Sequence, residues 1–142
     1  MTTGTFVRWR NYAARDLITV VEALDLPQPL TIVACPDGPG QLLIAGDPAL
    51  AGIVVRADHA EVGPGIMWWD DGYRMMGMRD PEIIVLPNGL DDAGLAAVQA
   101  AVRRSITRRR RGFRRCSTCR SLNPPEHMST RGVCRACADR RE

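Results

Sequence analysis

The sequence predicts an α+β protein, with a small mixed domain of about five or six strands and two helices ahead of a separate C-terminal module. Short apolar runs punctuated by Gly, Pro and Asp predict strands over most of the first ninety residues. Apolar residues then recur at spacings of three and four, which predicts a long helix ending at Gly112. Beyond Gly112 the apolar content collapses and cysteine and arginine accumulate. The length of 142 residues suits one ordinary domain with a small appendage.

The first elements are a strand-like stretch, TFVRWR, and a helix over residues 12–25. Pro27 and Pro29 end this helix, because proline lacks the N–H that a helix interior needs. One apolar stripe marks the buried side of the helix, formed by Ala14, Leu17, Ile18, Val21 and Leu24.

Four apolar runs follow as predicted strands. LTIVAC (30–35) and QLLIAG (41–46) are joined by PDGPG, whose prolines and glycines supply the backbone angles of a tight hairpin connection. GIVVRA (52–57) predicts a further buried strand, and EIIVLP (82–87) predicts the last strand of the domain.

A second hairpin is predicted around Asp71-Gly72, a strong two-residue turn signal between Ile66–Asp70 and Tyr73–Met76. Alternate strand residues face opposite sides of a sheet, so Trp68 and Trp69 cannot both be buried on one face. We favour core packing for the aromatic and methionine side chains of this hairpin over a protein-binding patch, with one tryptophan reaching the surface or a partner.

From Leu90 the pattern changes to that of a helix. Asp91 and Asp92 suit a helix N-terminus, where carboxylates offset the positive end of the helix dipole. The face turned toward the domain carries Leu95, Val98, Val102 and Ile106.

The charges divide the chain into an acidic domain (1–107), an arginine-rich connector (108–115) and a cysteine-rich module (116–142). Residues 1–102 hold 6 Arg against 13 Asp and Glu, and residues 103–142 hold 13 Arg against 3, so the net charges are −7 and +10. A basic appendage of this kind indicates a nucleic acid or an acidic membrane surface as partner. All 19 basic residues are arginine, whose planar fork binds phosphate through two hydrogen bonds.

We expect a cytoplasmic protein without a membrane segment. No apolar run approaches the roughly 20 residues of a membrane span, and the N-terminal residues have no signal-peptide apolar region. Cytosolic thiols stay reduced, so paired cysteines indicate metal ligands before disulfides.

Two close cysteine pairs predict a closed metal site. Cys116 and Cys119 are separated by fourteen residues from Cys134 and Cys137, a spacing typical of four thiolates around one structural Zn²⁺. The site leaves no open coordination position, so we expect it to supply folding energy and no chemistry. A disulfide pairing and an iron–sulfur cluster are the disfavoured alternatives, the former because of the compartment and the latter because no redox motif accompanies the cysteines.

The stretch CSTCRSLNPPEHMSTRGVCRACADRR resembles the small zinc fingers, of ribbon or treble-clef type, of phage and bacterial proteins, which are often attached to endonuclease VII-like or HNH nucleases. The resemblance covers about 27 of the 142 residues, and the N-terminal domain resembles no family. The resemblance implies a knuckle at Cys116 and Cys119 and a turn at Leu122 and Pro124–Pro125. It also implies that Gly132 precedes the helix and that Cys134 and Cys137 lie at the helix start.

We expect no enzymatic activity. Nucleases of that kind need histidine and acidic residues beside the zinc module, and here the loop offers only Glu126 and His127. The other histidine, His59, lies far upstream in a predicted loop. HExxH, glycine-rich phosphate-loop and GxSxG motifs are absent from the sequence. Cys35, in an apolar strand, is best interpreted as a packed core thiol.

The arginines around the connector are the candidate nucleic-acid contacts, to DNA or RNA, through backbone phosphate and with little sequence specificity. Two alternatives stay open: arginines nearest the cysteines could balance the charge of the metal site, or the run could keep a flexible linker soluble. The candidates are Arg103, Arg104, Arg108, Arg109, Arg110, Arg111, Arg114, Arg115 and Arg120.

Two functions are therefore predicted. The favoured one is a non-enzymatic zinc-finger protein that binds nucleic acid through the arginine-rich segment and the finger. The alternative is a protein–protein adaptor, or a structural or phage-derived modulator, whose acidic domain binds a protein partner and whose basic finger docks on an acidic surface.

Overall fold

The computed structural model describes residues 17–35, 38–129 and 131–140. The strand predicted over residues 5–10 and the beginning of the first predicted helix lie outside these residues. Helix α1 covers residues 17–23 of the described part, and it buries Leu17 and Val20 against the domain. Its last helical hydrogen bond joins the N–H of Leu24 to the carbonyl of Val20, ahead of the prolines that were predicted to end the helix.

Six antiparallel strands form one curled sheet, which confirms the predicted α+β class. The first five strands are neighbours in chain order, and the sixth pairs with the fourth. The strands are β1 Leu30–Ala34, β2 Gln41–Ala45, β3 Ala51–Val55, β4 His59–Asp70, β5 Tyr73–Met78 and β6 Glu82–Val85.

Strand β4 is twelve residues long and serves two parts of the sheet. Its first half lies between β3 and β6, and its second half, from Gly65 onward, pairs with β5 in the hairpin predicted around Asp71-Gly72. A Cβ atom on Gly63 would lie 2.6 Å from the carbonyl oxygen of Arg79, so the backbones approach closely where β4 changes partners. His59 was predicted to lie in a loop, which is wrong: it is the first residue of β4 and pairs with Val85.

The sheet separates two apolar clusters, because alternate residues of each strand face opposite sides. Leu43, Ile53 and Val62 pack on one side against the helices. On the other side Leu42, Ile44, Ala49 and Val54 pack against Met67, from the second half of β4, so the β4–β5 hairpin closes the domain on that side.

Helix α2, Asp92–Arg111, has nearly the boundaries that the sequence predicts. It begins beside Asp91, whose carboxylate accepts a hydrogen bond of 2.8 Å from the N–H of Gly94, and it ends at Gly112. Val98 and Val102 are fully buried, which confirms the face predicted to pack on the domain. No helix in the described part of the chain is long and apolar enough to cross a membrane.

Replacing Asp91 by alanine is expected to lower the free energy of unfolding by about 1 kcal/mol, because the N–H of Gly94 loses its side-chain acceptor. Urea denaturation followed by circular dichroism measures the loss. Asp92→Ala is the matched control, since Asp92 lies in the first turn without this capping bond and should cost at most a few tenths of a kcal/mol. Equal losses in the two variants would contradict the assignment of Asp91 as the cap.

Candidate metal centre

The C-terminal module is built from short elements that place the four cysteines. Two strands, β7 Arg114–Arg115 and β8 Leu122–Asn123, form a small antiparallel pair, and a 3₁₀ turn over Pro125–His127 follows. Helix α3, Arg135–Arg140, ends the described chain. The first cysteine pair lies in the turn between β7 and β8, and the second lies at the start of α3.

The sulfur atoms of Cys116, Cys119, Cys134 and Cys137 all lie within 4.8 Å of one another. Sulfur ligands about 2.3 Å from a tetrahedral zinc ion lie about 3.8 Å apart, and the sulfurs of Cys119 and Cys134 are separated by 3.8 Å. The four cysteines are therefore positioned to bind a metal ion, and four thiolates suit zinc. Elsewhere in residues 17–35, 38–129 and 131–140 no cluster of His, Cys, Asp or Glu has the arrangement of a metal site.

Backbone N–H groups around Cys116 favour its thiolate form. Its sulfur accepts hydrogen bonds from the N–H groups of Cys119, at 3.4 Å, Cys134, at 3.3 Å, and Thr118, at 3.4 Å. These bonds, that of Cys119 first, lower the pKa of the Cys116 thiol to about 5. Gly132 precedes the second pair with a positive φ of 74°, a backbone conformation that glycine adopts readily, and its carbonyl accepts a bond from the N–H of Ser117.

The pKa values of Cys119 and Cys137 are shifted in opposite directions. A hydrogen bond of 2.9 Å with the hydroxyl of Ser121 lowers the pKa of Cys119. The hydrogen bond with Cys134, followed by burial, raises the pKa of Cys137 to about 12. A divalent cation at the centre would displace the proton of Cys137, so metal affinity should fall as the pH falls.

The apolar core of this module is too small to hold it together. Its buried residues are three of the metal-site cysteines, Val133 and Pro124, and Met128 packs against the cysteines and Val133. The fold of the module therefore depends on what the sulfurs bind, as its composition predicts.

Arg109 does not belong with the other candidate arginines, because it is 2% exposed and its guanidinium is fully engaged. Its Nε donates to the carbonyl of Ala49 at 2.9 Å, and its Nη1 and Nη2 donate to both carboxylate oxygens of Glu126 at 2.8 and 2.9 Å. The guanidinium also lies 5.3 Å from the ring centre of Phe113. A phosphate group cannot reach it, so the prediction that Arg109 contacts nucleic acid is corrected on this physical ground.

The other eight candidate arginines are exposed. Arg104 pairs with Glu82 at 3.0 Å, and Arg115 donates to the carbonyl of Arg120 at 2.6 Å. In the part of the chain that the structure describes, Arg104 and Arg109 are the only candidate arginines that form an ion pair with a carboxylate. The seven candidates without a carboxylate partner are Arg103, Arg108, Arg110, Arg111, Arg114, Arg115 and Arg120.

The arginine-rich connector is not a separate loop. Residues 108–111 form the last turn of α2, and Arg109 ties this turn to the domain through Ala49 and to the finger through Glu126. The linker alternative therefore fails for these four residues, whose backbone is helical.

Comparison of the chain with protein-family models, curated proteins and solved structures finds no match. The resemblance to nuclease-associated fingers therefore rests on the sequence motif of residues 116–142 alone.

Proposed function

We propose that the protein is a non-enzymatic zinc-finger protein that binds the phosphate backbone of nucleic acid. The observation that carries the proposal is the set of eight exposed arginines, displayed by the end of α2 and by a finger that Arg109 and Glu126 join to it. The small β7–β8 pair, the cysteine turn and α3 favour a treble-clef form of the finger over a ribbon.

The charges nearby do not balance these arginines. Of the nine candidates, Arg109 is paired with Glu126 and Arg104 with Glu82, which leaves seven. Four thiolates around Zn²⁺ carry a charge of about −2, and the C-terminal end of a helix contributes about −0.5. An excess of about four to five positive charges remains, so balancing the metal site explains only part of the arginine content. Phosphate is the most common anion able to take up the rest.

The proposed binding is weakly specific for sequence. Base recognition requires amide, hydroxyl or aromatic side chains beside the charges. The finger offers few of them near its arginines, among them Ser117, Thr118 and Asn123. Contacts from guanidinium groups to backbone phosphates bind most sequences alike.

Zinc-loaded protein is expected to bind fluorescent duplex DNA or single-stranded RNA with an affinity that falls steeply with salt. For duplex DNA the log–log salt slope should be about −0.9 per phosphate contacted, and an Arg110→Gln/Arg111→Gln variant should make it shallower by about 2. Fluorescence anisotropy at several salt concentrations measures both quantities.

The control substitution is Arg79→Gln, which removes an exposed arginine of the domain that lies 3.9 Å from Asp80 and outside the arginine-rich segment. It should leave the slope unchanged. Failure of the zinc-loaded protein to bind either nucleic acid at low salt would refute the proposed function.

A protein–protein adaptor is the second candidate function. One observation favours it: the tip of the β4–β5 hairpin exposes two tryptophans and a tyrosine.

A further inference from the structure

The tip of the β4–β5 hairpin leaves large apolar side chains in contact with solvent. Tyr73 is 73% exposed, Trp69 60%, Met75 39% and Trp68 38%, whereas Met67 on the same hairpin is buried in the domain. The core packing predicted for this group is thus correct for Met67 and for the half-buried Met76 and Met78, which pack against the same cluster, but both tryptophans reach the surface.

The strand register places these residues around the end of the hairpin. Trp68 lies opposite Met75 and Asp70 opposite Tyr73, so these four side chains share the outward face. Trp69 lies opposite Arg74 on the other face, beyond Met67. We call residues 68–75 the aromatic tip.

The aromatic tip is acidic. Asp70 and Asp71 are exposed, and within the described residues neither forms an ion pair. The single arginine of the tip, Arg74, donates to the carboxylate of Asp47 at 2.7 Å, which offsets its charge. Two free carboxylates beside exposed rings repel phosphate, and they attract guanidinium groups, which also stack on tryptophan and tyrosine faces.

The chain itself carries the complementary surface. Arg110 and Arg111, in the last turn of α2, and Arg114, in the finger, are exposed and unpaired with any carboxylate of the described chain. No ion pair or hydrogen bond of the described residues joins these arginines to the aromatic tip. Among residues 17–35, 38–129 and 131–140, the acidic and aromatic surface and the basic surface therefore both lack a partner.

We propose that the aromatic tip of one chain binds the arginine-rich segment, residues 108–115, of a second copy of this chain. The two contact surfaces differ, so the association is head to tail, and each added copy presents a new free surface of each kind. The association needs no nucleic acid and does not rest on the proposed function. Self-association and the proposed nucleic-acid binding both use Arg110 and Arg111, so nucleic acid should compete with self-association.

Zinc-loaded, nucleic-acid-free protein is expected to increase in average mass with concentration and to return to the monomer at high salt. Sedimentation velocity or light scattering measures this. A Trp69→Ser/Tyr73→Ser variant should weaken the association at least about tenfold, because two ring contacts to arginine are lost. Val85→Ser is the matched control: it removes a 70% exposed apolar side chain from β6, away from the tip, and should associate like the unaltered protein.

Mixing two variants tests the head-to-tail arrangement. Trp69→Ser/Tyr73→Ser keeps the arginine surface and Arg110→Gln/Arg111→Gln keeps the tip, so each alone should stay monomeric while their mixture forms a complex of two chains and no larger species. A folding defect in either variant would not produce this rescue.

Two outcomes would overturn the proposal: unaltered protein that stays monomeric at low salt, or a tip variant that associates as tightly as the unaltered protein. Each is separable from failure of the proposed function. The tip variant should still bind nucleic acid with the salt slope of the unaltered protein. If the unaltered protein self-associates but does not bind nucleic acid, the proposed function fails and the proposal for the aromatic tip stands.

Discussion

Removing the metal is expected to unfold residues 114–140 while the six-stranded sheet stays folded. Structural zinc supplies about 10–16 kcal/mol of binding free energy in zinc-finger peptides near neutral pH, and apart from its cysteines the described part of this module buries only Pro124 and Val133. The sheet has two apolar clusters of its own and needs no metal. Amide hydrogen exchange before and after treatment with a chelator should show protection lost in the finger and kept in β2, β3 and β4.

The variant Cys116→Ser should have the same effect without a chelator. Cys116 is fully buried, and its sulfur accepts hydrogen bonds from three backbone N–H groups. Serine therefore removes the sulfur ligand that these backbone groups hold in place. Elemental analysis should find one zinc per chain in the unaltered protein and none in the variant. Cys35→Ser is the control, since Cys35 lies in the domain outside the cluster and the variant should keep its zinc. Retention of one tightly bound zinc by Cys116→Ser would contradict the four-cysteine site.

Sequence patterns located most strands and α2 because those elements carry their own apolar periodicity. The first half of β4 was missed, since His59, Glu61 and the glycines around Pro64 interrupt its pattern. That half is a strand because β3 pairs on one side of it and β6 on the other. The secondary structure of such a segment is determined by its pairing with other strands, which a local sequence pattern does not show.

The metal ligands could be predicted because the spacing within each Cys-x-x-Cys pair is a local feature of the sequence, whereas the role of Arg109 depends on tertiary contact. The sequence nevertheless contains a signal that Arg109 is buried. The buried positions of α2 run Val98, Val102, Ser105, at spacings of four and three, and one further step of four reaches Arg109. In a run of four arginines the residue type gives no distinction, but the helical phase selects the one that faces inward.

Replacing Glu126 by glutamine is expected to cost about 3 kcal/mol and to release the finger from the domain. The change leaves the guanidinium of Arg109, which is 1% exposed, without its carboxylate, and removing one partner of a buried ion pair costs about 3–5 kcal/mol. The lower value applies because Glu126 is 23% exposed and retains some contact with water. Chemical denaturation measures the cost, and NMR relaxation detects a finger that tumbles independently while it keeps its zinc.

Glu82→Gln is the matched control, because Glu82 pairs with Arg104 on the surface, where both side chains are at least one-third exposed and an ion pair is worth at most about 1 kcal/mol. Combining Glu126→Gln with Arg109→Gln should recover part of the loss, since the second change removes the unpaired buried charge that the first one leaves. Equal costs for Glu126→Gln and Glu82→Gln would show that the buried Arg109 gains nothing from the carboxylate of Glu126. The distinction bears on the proposed binding of nucleic acid. Arg110 and Arg114 lie on opposite sides of the Arg109–Glu126 contact, and only a rigid contact would keep their guanidinium groups at a fixed spacing for a phosphate backbone.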